Sequence, residues 1–424
     1  MDRVQRLVLS KIPALGGNFP LTSTLCLRLF NLLEGSDNAA VAVKAIQSLL
    51  KLPRVSFSSE VGQHQLLHHL RFSIEYLRRA RLLDSDGRPM NLFGIAAHLF
   101  YQEPNNLALV ALLRNGVLHK ICAQKSFIDC KRDFVILMAH LFGRRYLPRA
   151  YTTDDNIKLI IKKSPSVVVL PPLPKVARDV LLAHDEEILR VFTGYVSTFA
   201  QQYADKLGPD TTLPLSGDDL SGDEAVNTPF RQHLRAVAIP VVARSPFVAN
   251  SGHDEVYHSV SELARTSRSG LHLNESVIPS TAHITAKPGD AGSDTFALNA
   301  YLLDFYTHGQ KQALDKANGI RPGEIWFLLQ DFALTLMTIR SALEQLLLKA
   351  AKEAKNAAQE LEEDALELDS GYGSFDPAEM DGDVDESGAD FKRPKGVNDL
   401  DWKTYEVVDG TLREFEEKFK AIWA

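Results

Sequence analysis

Apolar side chains return every third or fourth residue along much of this chain, and this repeat constrains the fold more than any other feature. The clearest case is 326–348, with apolar positions Leu329, Phe332, Leu336, Ile339 and Leu343. That spacing places the side chains on one face of an α-helix, which must be buried against another element. Asp331, Arg340 and Glu344 interrupt the same stretch, so it does not suit a membrane span. A mainly α-helical protein is predicted.

The first hundred residues combine three helical stretches with a tight turn. The helical stretches cover 19–33, 39–50 and 63–83. Asp86-Gly87 follows them, and an Asp-Gly pair between apolar residues favours a hairpin of two short strands. Three helices followed by a small hairpin are the element order of a winged helix. We therefore predict a winged-helix-like domain over 1–100.

Helical patterns also dominate the rest of the chain, with two interruptions. We predict a helical bundle over 101–207, a loop-rich segment with short strands over 208–295, long helices over 296–365, an acidic linker over 366–400 and an amphipathic helix over 401–424. Ser164–Pro174 contains four prolines, so it is expected to be extended. Phe415, Phe419 and Trp423 share one face of the last helix, which is expected to fold back onto the body.

Acidic residues are concentrated near the end of the chain. The formal net charge is −7, and 13 carboxylates without any Lys or Arg lie between Glu360 and Asp390. Without that block the remainder carries +6, so it is mildly basic. The acidic block is either a solvated linker or a tail that binds protein partners.

Two clusters of basic residues are the candidate nucleic-acid contacts. Arg71, Arg78 and Arg79 lie on the third helical stretch, and Arg144, Arg145, Lys162 and Lys163 lie in the bundle. Guanidinium and ammonium groups neutralise phosphates whatever the base sequence. The alternative is a solvated helix flank without a ligand, and Glu75 partly cancels the first cluster.

Catalytic and cofactor motifs are not found in the sequence. It contains no G-x-x-x-x-G-K-[ST] phosphate loop, so no nucleotide cofactor is predicted. His64 and His68 have the spacing of two metal ligands on a helix, but no third ligand is evident and helix packing explains them as well. Cys26, Cys122 and Cys130 are interpreted as small buried side chains. An odd number of cysteines suits a reducing compartment, and we expect a cytoplasmic protein.

Several segments together resemble the C-terminal part of Ski2-like DExH RNA helicases, most closely the antiviral DExD/H-box group and its fungal relatives. These segments are 15–23 (LGGNFPLTS), 70–79 (LRFSIEYLRR), 91–96 (NLFGIA), 138–145 (MAHLFGRR), 245–248 (SPFV) and 318–326 (NGIRPGEIW). They are structural signatures rather than catalytic ones. The resemblance implies a winged helix and a helical bundle that follow two RecA-like motor domains.

The resemblance also implies a role in handling RNA. In that family the motor domains hydrolyse ATP, and a ratchet helix of the bundle contacts the translocating strand. The region Phe134–Arg145 is our candidate for that helix because its end is basic. The residues that would bind and split ATP are absent from this sequence, so no catalytic role is carried over. Motor domains in cis or in trans and weakly bound RNA are the implied partners. The alternative hypothesis is a stand-alone helical scaffold or adaptor that binds other proteins.

Overall fold

The computed structural model describes residues 23–33, 39–40, 43–44, 71–123, 126–202, 279–285, 297–367 and 391–423. Most of these residues are helical, and the others form turns, extended segments and isolated bridges. The prediction of a mainly α-helical protein is therefore confirmed. Within these ranges, no helix has both the length and the apolar character that a membrane span requires.

The helices are numbered in chain order. The N-terminal part contains α1 (Ser23–Leu33), α2 (described over 71–79) and α3 (Phe93–His98). Next come α4 (Asn105–Arg114), α5 (Val117–Ala123), α6 (Phe127–Phe142), α7 (Arg149–Thr153), α8 (Asp155–Lys163) and α9 (Lys175–Gln202). The C-terminal part contains α10 (Ala282–Thr285), α11 (Tyr301–His308), α12 (Lys311–Lys316), α13 (Pro322–Glu367) and α14 (Asp399–Trp423).

The predicted hairpin follows α2 but is shorter than two strands. Leu83 and Pro89 form one isolated antiparallel bridge. Between them, the Asp84 carboxylate accepts hydrogen bonds from the backbone N–H groups of Asp86 and Arg88, each at 2.8 Å. These side-chain bonds add to two backbone bonds between the arms of the hairpin, in which the N–H of Asp84 donates to Arg88 and that of Met90 donates to Leu82, each at 3.0 Å.

The helix predicted over 63–83 ends earlier than expected, at residue 79. Arg81 adopts a left-handed backbone conformation with φ 52°. The backbone N–H groups of Arg81 and Leu82 donate to the carbonyls of Arg78 and Leu77, each at 2.9 Å. This pair of bonds is a Schellman motif, which satisfies the last carbonyls of a helix and turns the chain away from it.

Replacing Gly87 with alanine is expected to lower the free energy of unfolding by about 1–3 kcal/mol, because only glycine adopts this backbone conformation without strain. Gly87 has φ +84°, and a Cβ there would lie 3.0 Å from Cε1 of Phe30 in α1. Urea unfolding followed by circular dichroism measures the change. Gly94→Ala is the control, since a Cβ at Gly94 meets no atom within 4 Å. Equal effects of the two substitutions would contradict this explanation.

One hydrophobic core joins the helices after residue 92 to the C-terminal helices. It includes Phe134 of α6, Phe305 of α11, Leu336 of α13 and Phe415 of α14, all fully buried. The ring centroid of Phe415 lies 5.0 Å from that of Phe305 and 5.2 Å from that of Phe332. The prediction that the last helix folds back onto the body is therefore confirmed.

Three extended segments meet beside this core. The backbone N–H of Asn299 donates to the carbonyl of Arg145 at 2.7 Å. On the other side of the same segment, the N–H of Ala300 donates to Val168 and the N–H of Leu170 donates to Leu298, each at 2.9 Å. The extended conformation predicted for 164–174 is thus confirmed, and it places the end of α6 beside the start of α11.

Parts of the predicted domain map are corrected by the structure. Of the long helices expected over 296–365, the part before α13 is instead two short helices, because Gly309 caps α11 in the left-handed conformation with φ +65°. The linker predicted over 366–400 does not extend to its end, since Phe391 and Val397 pack against Leu347 and Tyr405. Of the segment 208–295, only 279–285 is described, and α10 lies within it.

Candidate nucleic-acid interface

The first predicted cluster lies on α2 and faces α9. Arg71, Arg78 and Arg79 are all exposed. Arg79 donates hydrogen bonds to Glu75 and to Glu187 of α9, each at 2.7 Å. The Arg79 guanidinium therefore joins α2 to α9 and is less available to a ligand than the exposed side chains of Arg71 and Arg78.

Helix α6 carries the second cluster only at its end. Every residue from Phe134 to Leu141 is buried, so this part of the ratchet candidate offers no surface to a strand. His140 is fixed there because its Nε2–H donates to the carbonyl of Pro171 at 2.8 Å. Burial lowers the pKa of His140 to about 4, and the nearby charge of Arg144 acts in the same direction. His140 is therefore neutral at physiological pH and serves as a structural anchor.

Arg145 connects the end of α6 to the start of α13. Its Nη2 lies 2.6 Å from Oε2 of Glu324, and Arg321 approaches the same carboxylate at 3.9 Å. Arg321 itself is 86% exposed. Nearby, the Tyr151 hydroxyl of α7 donates to the carbonyl of Lys316 at 3.2 Å. The end of α6, α7 and the start of α13 thus form one surface, which we call the basic corner.

Helix α8 follows α7 directly and lies at the surface of the protein. None of its side chains is buried. Asp154 caps the helix by accepting hydrogen bonds from the N–H groups of Asn156 and Ile157 at 2.8 and 3.3 Å. Lys162 and Lys163 occupy the last turn, where the helix dipole favours positive charge. Among the described residues, neither lysine has a carboxylate within ion-pair distance.

The structure therefore divides the predicted contact residues between two places. Arg71, Arg78 and Arg79 lie on α2, and Arg144, Arg145, Lys162 and Lys163 lie on the basic corner and the adjoining α8. Arg79 and Arg145 are engaged by carboxylates. The exposed lysines of α8 remain the strongest candidates for phosphate contact.

Sequence reasoning missed two aromatic residues beside the basic corner. Trp326 and Phe327 lie near the start of α13 and are 37% and 66% exposed. Their ring centroids are 5.0 Å apart. The sequence does contain a signal for their exposure. Neighbouring residues of a helix point in directions about 100° apart, so two adjacent aromatic residues cannot both lie on a narrow apolar stripe and reach the core.

Other chemistry is not supported by the described part of the chain. No three His, Cys, Asp or Glu side chains there form a group able to hold a metal ion, and His64 and His68 lie outside it. Cys26, Cys122 and Cys130 are free thiols and buried, as predicted. Burial raises the pKa of Cys26 to about 12 and that of Cys122 to about 11, so neither is a reactive thiolate.

The N-terminal part of the chain matches a known protein-domain family. Residues 15–97 match the family described as "DDX60-like, winged helix domain". The N-terminal part of the chain is a winged helix domain. The match includes α1, the Schellman turn and the Asp84 hairpin, so the prediction for 1–100 agrees with it.

Known proteins similar to the chain are helicases by name. A human protein named "Probable ATP-dependent RNA helicase DDX60-like" is 29% identical over 82% of this chain and 20% of its own length. An uncharacterised helicase of Dictyostelium discoideum is 29% identical over 64% of this chain and 14% of its length. One of Caenorhabditis elegans is 22% identical over 79% of this chain and 18% of its length. No solved structure matches the chain.

The DDX60-like similarity reaches far beyond the winged helix. The matched stretch of the human relative corresponds to 360 residues, and the chain spans about a fifth of that relative's length. The chain is thus similar to a helicase-associated region, as the resemblance to a helicase C-terminal part predicted. The similarity supports the fold of this region and its general description as helicase-associated.

Proposed function

We propose that this chain is the accessory part of a DDX60-like RNA helicase, which braces the motor domains and guides single-stranded RNA. The observation that carries the proposal is the similarity of 82% of the chain to a protein named as an RNA helicase. ATP hydrolysis is assigned to RecA-like motor domains in cis or in trans, and the chain itself is proposed to bind no cofactor. A cytoplasmic location remains part of the proposal.

Phosphate contact by Lys162 and Lys163 is the proposed basis of RNA binding. Both lysines are exposed at the end of a helix that buries none of its side chains. A polyanion can therefore approach them without displacing protein contacts. Binding of this kind releases counterions and weakens as salt rises.

Exchanging Lys162 and Lys163 together for glutamate is expected to weaken RNA binding and flatten its salt dependence. Each phosphate contact with a single strand contributes about −0.7 to the slope of log affinity against log salt. Loss of two contacts should therefore reduce the slope by about 1.4. Fluorescence anisotropy of a labelled oligoadenylate, titrated with the purified chain at salt concentrations from about 50 to 200 mM, measures both quantities.

The matched control exchanges Lys352 and Lys355 of α13 for glutamate, which gives the same change in net charge at two exposed positions. The salt slope of this variant should differ from that of the wild type by less than about 0.7, the contribution of one phosphate contact. Equal loss in both variants would show that net charge, not α8, determines binding. No binding by the wild-type chain at low salt would remove RNA guidance from the proposal.

A scaffold that binds other proteins is the second candidate function. Exposed apolar side chains on α13 favour it, since Leu334, Met337 and Leu348 are each between 42% and 48% exposed. The same side chains also suit a motor domain docked against α13. The coding sequence around this chain distinguishes the two, because a phosphate-loop lysine and a DExH box in frame favour the helicase.

A further inference from the structure

Four aromatic rings form a row between the start of α13 and the end of α14. Phe327 contacts Trp326 at a centroid distance of 5.0 Å, Trp326 lies 6.5 Å from Phe419, and Phe419 lies 4.8 Å from Trp423. The ammonium group of Lys311 stands 5.2 Å from the centroid of Trp423. Residues distant in sequence are thus brought into one surface feature, which we call the aromatic row.

Packing of the core explains only one end of the aromatic row. Phe419 and Trp423 are partly buried and pack against the core. Phe327 is 66% exposed, and its described ring contact is with Trp326, which is itself 37% exposed. An exposed phenyl group gains little from folding, so burial does not account for this end of the row.

Positively charged side chains lie near both ends of the aromatic row. Arg321 precedes it by little more than one helical turn and is 86% exposed. Lys311 lies at the other end, beside the ring of Trp423. The nearby carboxylates of Glu324 and Glu416 are engaged by Arg145 and Lys420. Charge of this sign favours an anionic occupant over a neutral apolar one.

We propose that the aromatic row is a stacking surface for the bases of a single-stranded nucleic acid. Aromatic rings stack on any base because every base has a π-face, and flanking cations hold the backbone beside them. Phe327 and Trp326 supply the exposed rings, and Arg321 and Lys311 supply the charges. This inference rests on the proposed RNA-guiding function, to which it adds a base-contacting site next to the basic corner.

The test compares two strands that differ only in their bases. One is an oligoadenylate of about 12 nucleotides, and the other has the same backbone with abasic residues. Wild-type protein should bind the strand with bases more tightly, and Phe327→Ala combined with Trp326→Ala should remove about 5-fold or more of that preference. The salt slope should stay unchanged, because phosphate contacts are untouched.

Leu334→Ala combined with Met337→Ala is the matched control, since it removes exposed apolar area from the same helix outside the row. Full retention of the base preference by the Phe327 and Trp326 variant would overturn the stacking inference while leaving salt-dependent RNA guidance in place. Equal loss in the control would also overturn it, because general apolar area would then be responsible. Circular dichroism confirms that each variant is folded.

Discussion

Replacement of Phe415 by alanine is expected to lower the free energy of unfolding by about 3–5 kcal/mol, because it removes a fully buried phenyl ring and leaves a cavity. Phe415 is 0% exposed and contacts the rings of Phe305 and Phe332. It is the point where α14 meets α11 and α13. Urea unfolding followed by circular dichroism measures the loss as a lower midpoint at unchanged slope.

Phe327→Ala makes the same chemical change at a position that is 66% exposed. Its unfolding free energy should stay within about 0.5 kcal/mol of wild type, as is usual for surface substitutions. A loss below about 1 kcal/mol for Phe415→Ala would show that α14 is not part of the cooperative core. The two variants together separate the structural aromatic residues from those we assign to RNA.

Replacement of Asn106 by alanine is expected to lower the free energy of unfolding by about 2–4 kcal/mol, because it removes the donor to two buried acceptors and the acceptor of the Leu107 N–H. The Asn106 side-chain amide is fully buried and donates to Thr24 Oγ1 at 2.9 Å and to the carbonyl of Ala96 at 2.8 Å. Thr24 belongs to α1 and Ala96 to α3. One side chain at the start of α4 therefore joins two helices of the winged helix domain to the helices that follow.

Two further variants make this expectation specific. Asn106→Asp keeps the side-chain volume but loses both donated hydrogen bonds, so it should destabilise at least as much as alanine. Asn115→Ala removes one hydrogen bond, to the carbonyl of Ala111 at 2.8 Å, from an exposed residue at the end of α4, and should cost less than about 1 kcal/mol. If Asn106→Asp were as stable as wild type, the hydrogen bonds of Asn106 would not explain how α4 is joined to α1 and α3.

Helices with strong periodicity could be predicted from the sequence, and their ends could not. The apolar repeat of 326–348 is sufficient to locate α13. The first two turns of α6 escape a search for apolar periods because Asp129, Lys131 and Asp133 break the pattern. They are helical because Ser126 caps them, accepting a hydrogen bond from the N–H of Asp129 at 3.2 Å.

The candidate site was predictable only as a collection of charges. Arg144 and Arg145 are conspicuous in the sequence, but Glu324, the partner of Arg145, lies about 180 residues later. A local pattern carries no information about such pairing, since the extended segment around Asn299 brings the two regions together. The aromatic row depends on the same long-range arrangement, because Phe419 approaches Trp326 only once α14 has packed against α13.

The uninterrupted length of α13 has a mechanical consequence. It contains 46 residues and is therefore about 69 Å long at 1.5 Å per residue. From Ile325 to Glu367 it has neither Pro nor Gly, the residues at which helices usually kink. Because neither residue type that usually forms a kink lies between them, a displacement of the helix at Glu367 is coupled to the position of Trp326.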